Sequence, residues 1–292
     1  MNNSITPTEF ERFIAGAGLA CLCIIGLSVY ATVLVAFSLN RESFSSSFYD
    51  YVLSLGVSDC LMLSILLSYA VPCMVSGTYI FGVTGDKIVG FILTIAWFSY
   101  LPAMATISVN RYWAVCKPET VDKYFAGGSL KLHLVLFWSS PFLLGYANYP
   151  CTRFYPEMLS FALDLTQNHV MRSVYVEKVY AFAVCLLMVV CYVPIFFEHR
   201  KVTAQVQPTV HVSELLARQR QEIKIAVQFV GVCAYLLIMD VAFIVLPFYA
   251  SYYWHTYVSI VLWCLNSCVN PFMYLISSPK LQNAVRELVM KA

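Results

Sequence analysis

Seven apolar runs, each long enough to cross a bilayer as a helix, constrain this chain more than any single residue does. They cover residues 14–39, 51–75, 88–115, 132–149, 179–197, 223–249 and 253–277, and a spanning helix needs about 20 mostly apolar residues. Of the 292 residues 60% are hydrophobic and 12% charged, against about a quarter charged in a soluble domain. The expectation is an all-α, polytopic membrane protein: one seven-transmembrane-helix bundle over residues 1–292, with no separate soluble domain. The first run is expected to serve as its own insertion signal. The longest segments outside the membrane are 150–178 and 198–224.

Seven spans place the two ends on opposite sides, and Lys/Arg asymmetry selects the orientation. With the N-terminus outside, the cytoplasmic segments hold 13 of the 18 Lys and Arg residues, leaving Arg12, Lys87, Arg153, Arg172 and Lys178 outside. The N-terminus is therefore expected outside and the C-terminus in the cytoplasm, with Asn2-Asn3-Ser4 an outer glycosylation triplet. A net charge of +2 without a basic stripe excludes a nucleic-acid partner. Most of the 11 cysteines lie within spans, where they act as small apolar residues. Cys73 and Cys151 are the pair placed for an extracellular disulfide, two unrelated thiols being the alternative.

Polar groups inside the spans carry the functional argument, because each costs about 2.5–3.5 kcal/mol at a helix centre and is rarely idle. The third span ends in Asn110-Arg111-Tyr112, followed by Pro118, and the seventh carries Asn270-Pro271-Phe272-Met273-Tyr274. Asp59 lies in mid-span, where a carboxylate must be protonated or find partners. Asn266, Ser267 and Asn270 are the candidates, Asn266 and Asn270 being one turn apart on one face. Pro271 removes a backbone hydrogen bond and weakens its helix locally, a place for Tyr274 to swing between two packings, with a static kink as the alternative.

On these residues the chain resembles a rhodopsin-like G-protein-coupled receptor, and more narrowly the nematode serpentine chemoreceptor families, most of all from Ser108 to Pro118. Trp138 in the fourth span matches as well. The resemblance implies that Arg111 holds the resting helix arrangement and then contacts a heterotrimeric G protein; a membrane-interface anchor is the plainer role. It implies a sodium ion beside Asp59. However, Tyr100 stands where a small hydroxyl usually helps to ligate that ion, and the first-span Gly-Asn pair is absent. Asn110 replaces the common acidic neighbour of Arg111. Leu93 stands where amine receptors carry an aspartate, Cys264 where opsins carry the retinal lysine, and Asp86 near the usual third-span cysteine. The sixth span lacks the family's Cys-Trp-x-Pro.

Asp240 lies about 17 residues, or roughly 25 Å, from the cytoplasmic start of the sixth span. It faces a candidate wall of Phe91, Leu93, Thr94, Trp97 and Phe98. A largely apolar pocket with one or two polar anchors suits a small molecule, although a carboxylate turned to outer water and aromatics used for packing are the plainer readings. Residues 279–290 place Leu281, Val285 and Leu288 on one face, with Lys280, Arg286 and Glu287 off it, a short amphipathic helix on the inner membrane surface. The expected protein is a chemosensory receptor of the plasma membrane, a sensory cilium included. Its partners are a small extracellular molecule, a G protein and the lipid bilayer, and no cofactor or metal is expected. A transporter is the rival, but inverted repeats with paired helix breaks are absent. An enzyme is not expected: His133, His169, His199, His211 and His255 are scattered without a His-Glu-x-x-His pair.

Overall fold

The computed structural model describes residues 6–147, 149, 152–163, 170–205, 227, 230–232, 234–239, 241–242 and 253–291. Helix α1 (Glu9–Leu39) opens on a capping box. The Glu11 N–H donates to Thr8 Oγ1 at 3.3 Å, and the Thr8 N–H donates to the Glu11 carboxylate at 2.9 Å. Two orphan donors are thereby satisfied, which lets the helix begin five residues before its apolar run. Helix α2 (Ser47–Ser76) contains a π turn over Leu66–Ala70. Pro72 follows at once; its missing N–H breaks the regular ladder, and the wider turn absorbs the mismatch.

Helix α3 (Gly82–Cys116) is the spine of the bundle. From Leu93 to Leu101 every residue is buried, so the helix is apolar all round, as a central helix must be. It packs on α2, on α4 (Gly127–Ala147) and on α5 (Val170–Gln205). Pro118–Thr120 and a short helix over Val121–Phe125 lead from α3 into α4. The 36 residues of α5 would span roughly 54 Å at about 1.5 Å per residue, well beyond a hydrocarbon core of about 30 Å. Helix α6 is described over Val230–Met239; Asp240 and most of the remaining sixth apolar run lie outside the described residues. Helix α7 (Tyr253–Ser277) closes the bundle against α1 and α2. Among the described residues, five helices are long and apolar enough to cross a membrane. Large side chains such as Leu143, Val179 and Phe182 point outward, as a lipid-facing surface requires.

Helix α8 (Pro279–Lys291) turns off the bundle and packs against α1. Leu281 and Ala284 are buried, while Arg286 and Glu287 are exposed, so the helix is amphipathic. Gln282 donates to the Leu275 carbonyl at 2.8 Å, and the Lys280 ammonium donates to the Ser43 carbonyl. Both contacts satisfy carbonyls at helix ends or turns that would otherwise be orphaned.

One element was not expected from the sequence. Residues Thr152–Tyr155 (β1) and Ser160–Leu163 (β2) pair antiparallel, with Thr152 opposite Leu163 and Tyr155 opposite Ser160. This hairpin lies on α3 and touches α7, capping the end of the bundle where α3 begins.

Candidate functional site

Three clusters line the axis between the hairpin and the C-terminal end of α3. The middle one centres on Asp59, 3% exposed. Tyr30 of α1 donates its hydroxyl to Asp59 Oδ2, and Asn270 of α7 donates Nδ2 to the same oxygen at 2.8 Å. Asn266 and Ser267 are buried alongside. Beside them the Ser58 and Ser99 hydroxyls meet at 2.6 Å, tying α2 to α3. Tyr30 was not singled out in the sequence. Nothing local marked it, because a tyrosine in a span is equally a packing or an interfacial residue.

This donor set does not fit the sodium ion that the resemblance implies. Both groups seen hydrogen-bonded to the carboxylate are donors, and the rings of Tyr30, Tyr100 and Tyr274 are buried in the same core. A cation needs oxygen lone pairs turned toward it, several at a time. The carboxylate is instead satisfied by neutral donors from two helices.

The Tyr274 and Tyr100 hydroxyls are buried without a hydrogen-bond partner among the described residues. An unsatisfied buried hydroxyl costs about 1–3 kcal/mol. The inward packing of Tyr274 is thus held by its surroundings rather than by its own hydrogen bond. Pro271 lies one turn earlier in the same helix.

Near the C-terminal end of α3, Arg111 is 9% exposed and Asn110 1%. Arg111 NH2 donates to Asn110 Oδ1 at 2.8 Å, and Asn110 Nδ2 donates to Ser47 Oγ on α2 at 3.0 Å. The guanidinium lies 4.1 Å from the centroid of the Phe48 ring. Tyr112 and Trp113 are half-buried and pack edge to face at 5.2 Å. Pro118, exposed, starts the turn that brings Phe125 against Trp113 and His133. The Tyr51 hydroxyl lies 2.9 Å from His133 Nδ1, joining α2 to α4 behind this loop.

Toward the hairpin end, Leu93, Thr94, Trp97 and Phe98 are all buried in α3. They do not act as one wall. Trp97 faces Trp263 of α7, with ring centroids 5.3 Å apart, and its Nε1 donates to Glu177 of α5 at 3.2 Å. Thr94 is turned to the hairpin: its hydroxyl donates to the Gly90 carbonyl at 2.7 Å and lies 2.9 Å from the Thr152 hydroxyl. Glu177 and Trp263 were not anticipated, because nothing local marks which residues of other helices will meet α3.

Asp86 is the larger surprise. It is fully buried and takes three donors. The Tyr69 hydroxyl and the Phe154 N–H reach Oδ1 at 2.9 and 3.1 Å, and Arg153 Nε reaches Oδ2 at 3.2 Å. Burial alone would lower the Arg153 pKa, but the Asp86 carboxylate outweighs it and holds the guanidinium above its ordinary value. One carboxylate thus bolts the hairpin to α3 and α2. Cys73, expected as half of a disulfide, is instead a free and fully buried thiol, and Cys151 lies outside the described residues. At Gly90 the approach is closer still: an added Cβ would collide with the backbone carbonyl of Thr152.

Comparison with known proteins agrees with this architecture. The sequence profile of the family described as the serpentine type 7TM GPCR chemoreceptor Srx matches residues 21–277. Human melanin-concentrating hormone receptor 2 is 21% identical, over 98% of this chain and 87% of that protein. The D(1B) dopamine receptor of Xenopus laevis is 25% identical over 59% of this chain and 37% of its own length. The dopamine D2-like receptor of Drosophila melanogaster is 27% identical over 65% of this chain and 21% of its own. The crystal structure of squid rhodopsin superposes with a TM-score of 0.82, covering 97% of this chain and 86% of that one, at 16% identity.

Proposed function

Because the chain belongs to the serpentine seven-transmembrane chemoreceptor family Srx and is therefore a G-protein-coupled receptor, we propose that a small extracellular molecule acts from its outer half and that Arg111 hands the response to a heterotrimeric G protein. The molecule binds among Leu93, Trp97 and Phe98 of α3, with Asp240 of the sixth span as a polar anchor and Thr94 acting through the hairpin. Leu93 offers no charge for an amine at that position, so the pocket favours a ligand held chiefly by apolar and aromatic contact.

The ligand must bind two helix arrangements unequally, since equal affinity shifts nothing. Tyr274, one turn after Pro271 and with a hydroxyl that has no partner among the described residues, is the element with least to lose by moving. Its displacement, with that of Asn270, loosens the α2–α7 contact at Asp59 and frees the cytoplasmic end of α3. Arg111, Tyr112 and the loop begun by Pro118 then meet the G protein. The receptor sits in the plasma membrane, N-terminus outside, as the Lys/Arg asymmetry favours. The observation that carries this reading is the placement of Arg111, a buried cation within the last two turns of α3.

GTP exchange on a panel of heterotrimers, in membranes carrying the native chain or Arg111→Ala, tests it. Exchange that disappears in Arg111→Ala at equal surface expression is the expected result. Unchanged exchange in that variant would remove Arg111 from the coupling surface.

A further inference from the structure

The first turn of α2 and the last turns of α3 meet through two adjacent pairs, Ser47 with Asn110 and Phe48 with Arg111. The first pair sets up the second. Because Asn110 Nδ2 is committed to Ser47, its Oδ1 faces Arg111 and takes one N–H of the guanidinium. The guanidinium carbon then sits over the Phe48 ring, 4.1 Å from its centroid; that ring is 6% exposed and braced edge-on by Tyr49 at 5.2 Å. We propose that Phe48 is a positioning residue whose ring face holds Arg111 in the G-protein-free arrangement. The proposal rests on Arg111 being the G-protein contact.

A ring face suits this task for a physical reason. A guanidinium is planar, delocalised and weakly hydrated, so it stacks on an aromatic face without giving up its N–H groups, which lie in its plane. Those donors can keep their own hydrogen bonds, the one to Asn110 among them, while the cation is held from one side. A carboxylate in the same place would consume two of them in a directional pair. Release from Phe48 therefore needs only a sideways or axial displacement of the α3 end relative to the α2 start. The same displacement strains the Ser47–Asn110 bond, so the two pairs let go together.

Loss of a desolvated cation–ring contact corresponds to a factor of roughly 30 in an equilibrium. The other partners of Arg111 retain part of the resting arrangement, so a rise of about three- to tenfold in ligand-free exchange is expected when the ring face is removed. Phe48→Leu is the obvious variant, but it also changes packing. A series of ring-fluorinated phenylalanines at position 48 keeps the shape while draining the π face, and Phe48→Tyr keeps both. Ligand-free GTP exchange, normalised to receptor at the surface, should climb with fluorine count, stay near the native rate in Phe48→Tyr, and vanish from every member in an Arg111→Ala background. A flat fluorine series overturns the proposal, even if Phe48→Leu is active, since packing alone would then explain it. Exchange that survives Arg111→Ala would instead defeat the coupling role of Arg111.

A second readout needs no G protein. The Arg111 side-chain N–H resonance, assigned by its loss in Arg111→Lys, should carry an upfield ring-current shift that disappears in Phe48→Leu. No such shift in the resting receptor overturns the proposal whatever the exchange assay gives.

Discussion

Asp59 takes hydrogen bonds from Tyr30 and Asn270 on helices that are far apart in the chain. The carboxylate is buried, so each donor offsets a desolvation cost that water cannot. Tyr30→Phe keeps the ring and removes the hydroxyl. It should destabilise the receptor by about 1–3 kcal/mol, read as a lower thermal unfolding midpoint in detergent. An unchanged midpoint would mean that Asp59 draws its donors from elsewhere. The same pair decides the matter of sodium. With neutral donors on the carboxylate and three tyrosine rings around it, replacing sodium chloride by choline chloride at equal ionic strength should alter neither the midpoint nor the ligand-free exchange rate. A sodium-dependent rise in the midpoint would show that the rings part to admit the ion. Asp59, Asn266, Ser267 and Asn270 were legible in the sequence as a polar core because polar residues in lipid are costly and therefore informative. Tyr30 was not, since a tyrosine in a span is equally a packing or an interfacial residue.

At the scale of elements, the β1–β2 hairpin and α3 form the joint that covers the end of the bundle where α3 begins. Three features hold it: the Asp86 bolt, the Thr94–Thr152 contact and the space left by Gly90. Asp86→Ala would leave the Phe154 N–H, the Tyr69 hydroxyl and the Arg153 guanidinium to find new partners. Removing one member of a buried ion pair costs about 3–5 kcal/mol, less where one partner reaches solvent, as Arg153 does. Amide exchange over 152–163 should then quicken roughly 10- to 100-fold, every 1.4 kcal/mol being tenfold, while α2 and α7 amides keep their protection. Gly90→Ala should do the same by steric means, since its Cβ meets backbone that cannot rotate away. Equal exchange in both variants and the native chain would show that the hairpin is held by its aromatic contacts, Phe154 and Phe161 against Tyr69. The sequence showed residue 86 only as a missing cysteine. A lone aspartate near a helix start reads as solvated, and its three donors come from residues 17, 67 and 68 positions away.

For the molecule as a whole, the apolar runs and the positions of Asp59, Arg111 and Pro271 were settled by local chemistry. A bilayer leaves a long apolar segment little choice but a helix, and it penalises every idle polar group, so span count and the amphipathic α8 could be read directly; the receptor class came instead from the resemblance carried by residues 108–118 and 270–274. Helix ends were less legible: α1, α3 and α5 all run past their apolar stretches, because capping and packing continue where hydrophobicity stops. What only the tertiary structure decided is which side chains meet. Phe48 under Arg111, Tyr30 on Asp59, Glu177 on Trp97 and the hairpin on Asp86 each join segments that approach only when the bundle closes. Periodicity assigns a residue to a face of its own helix, but the rotation of that helix against its neighbours comes from the packing of all of them together.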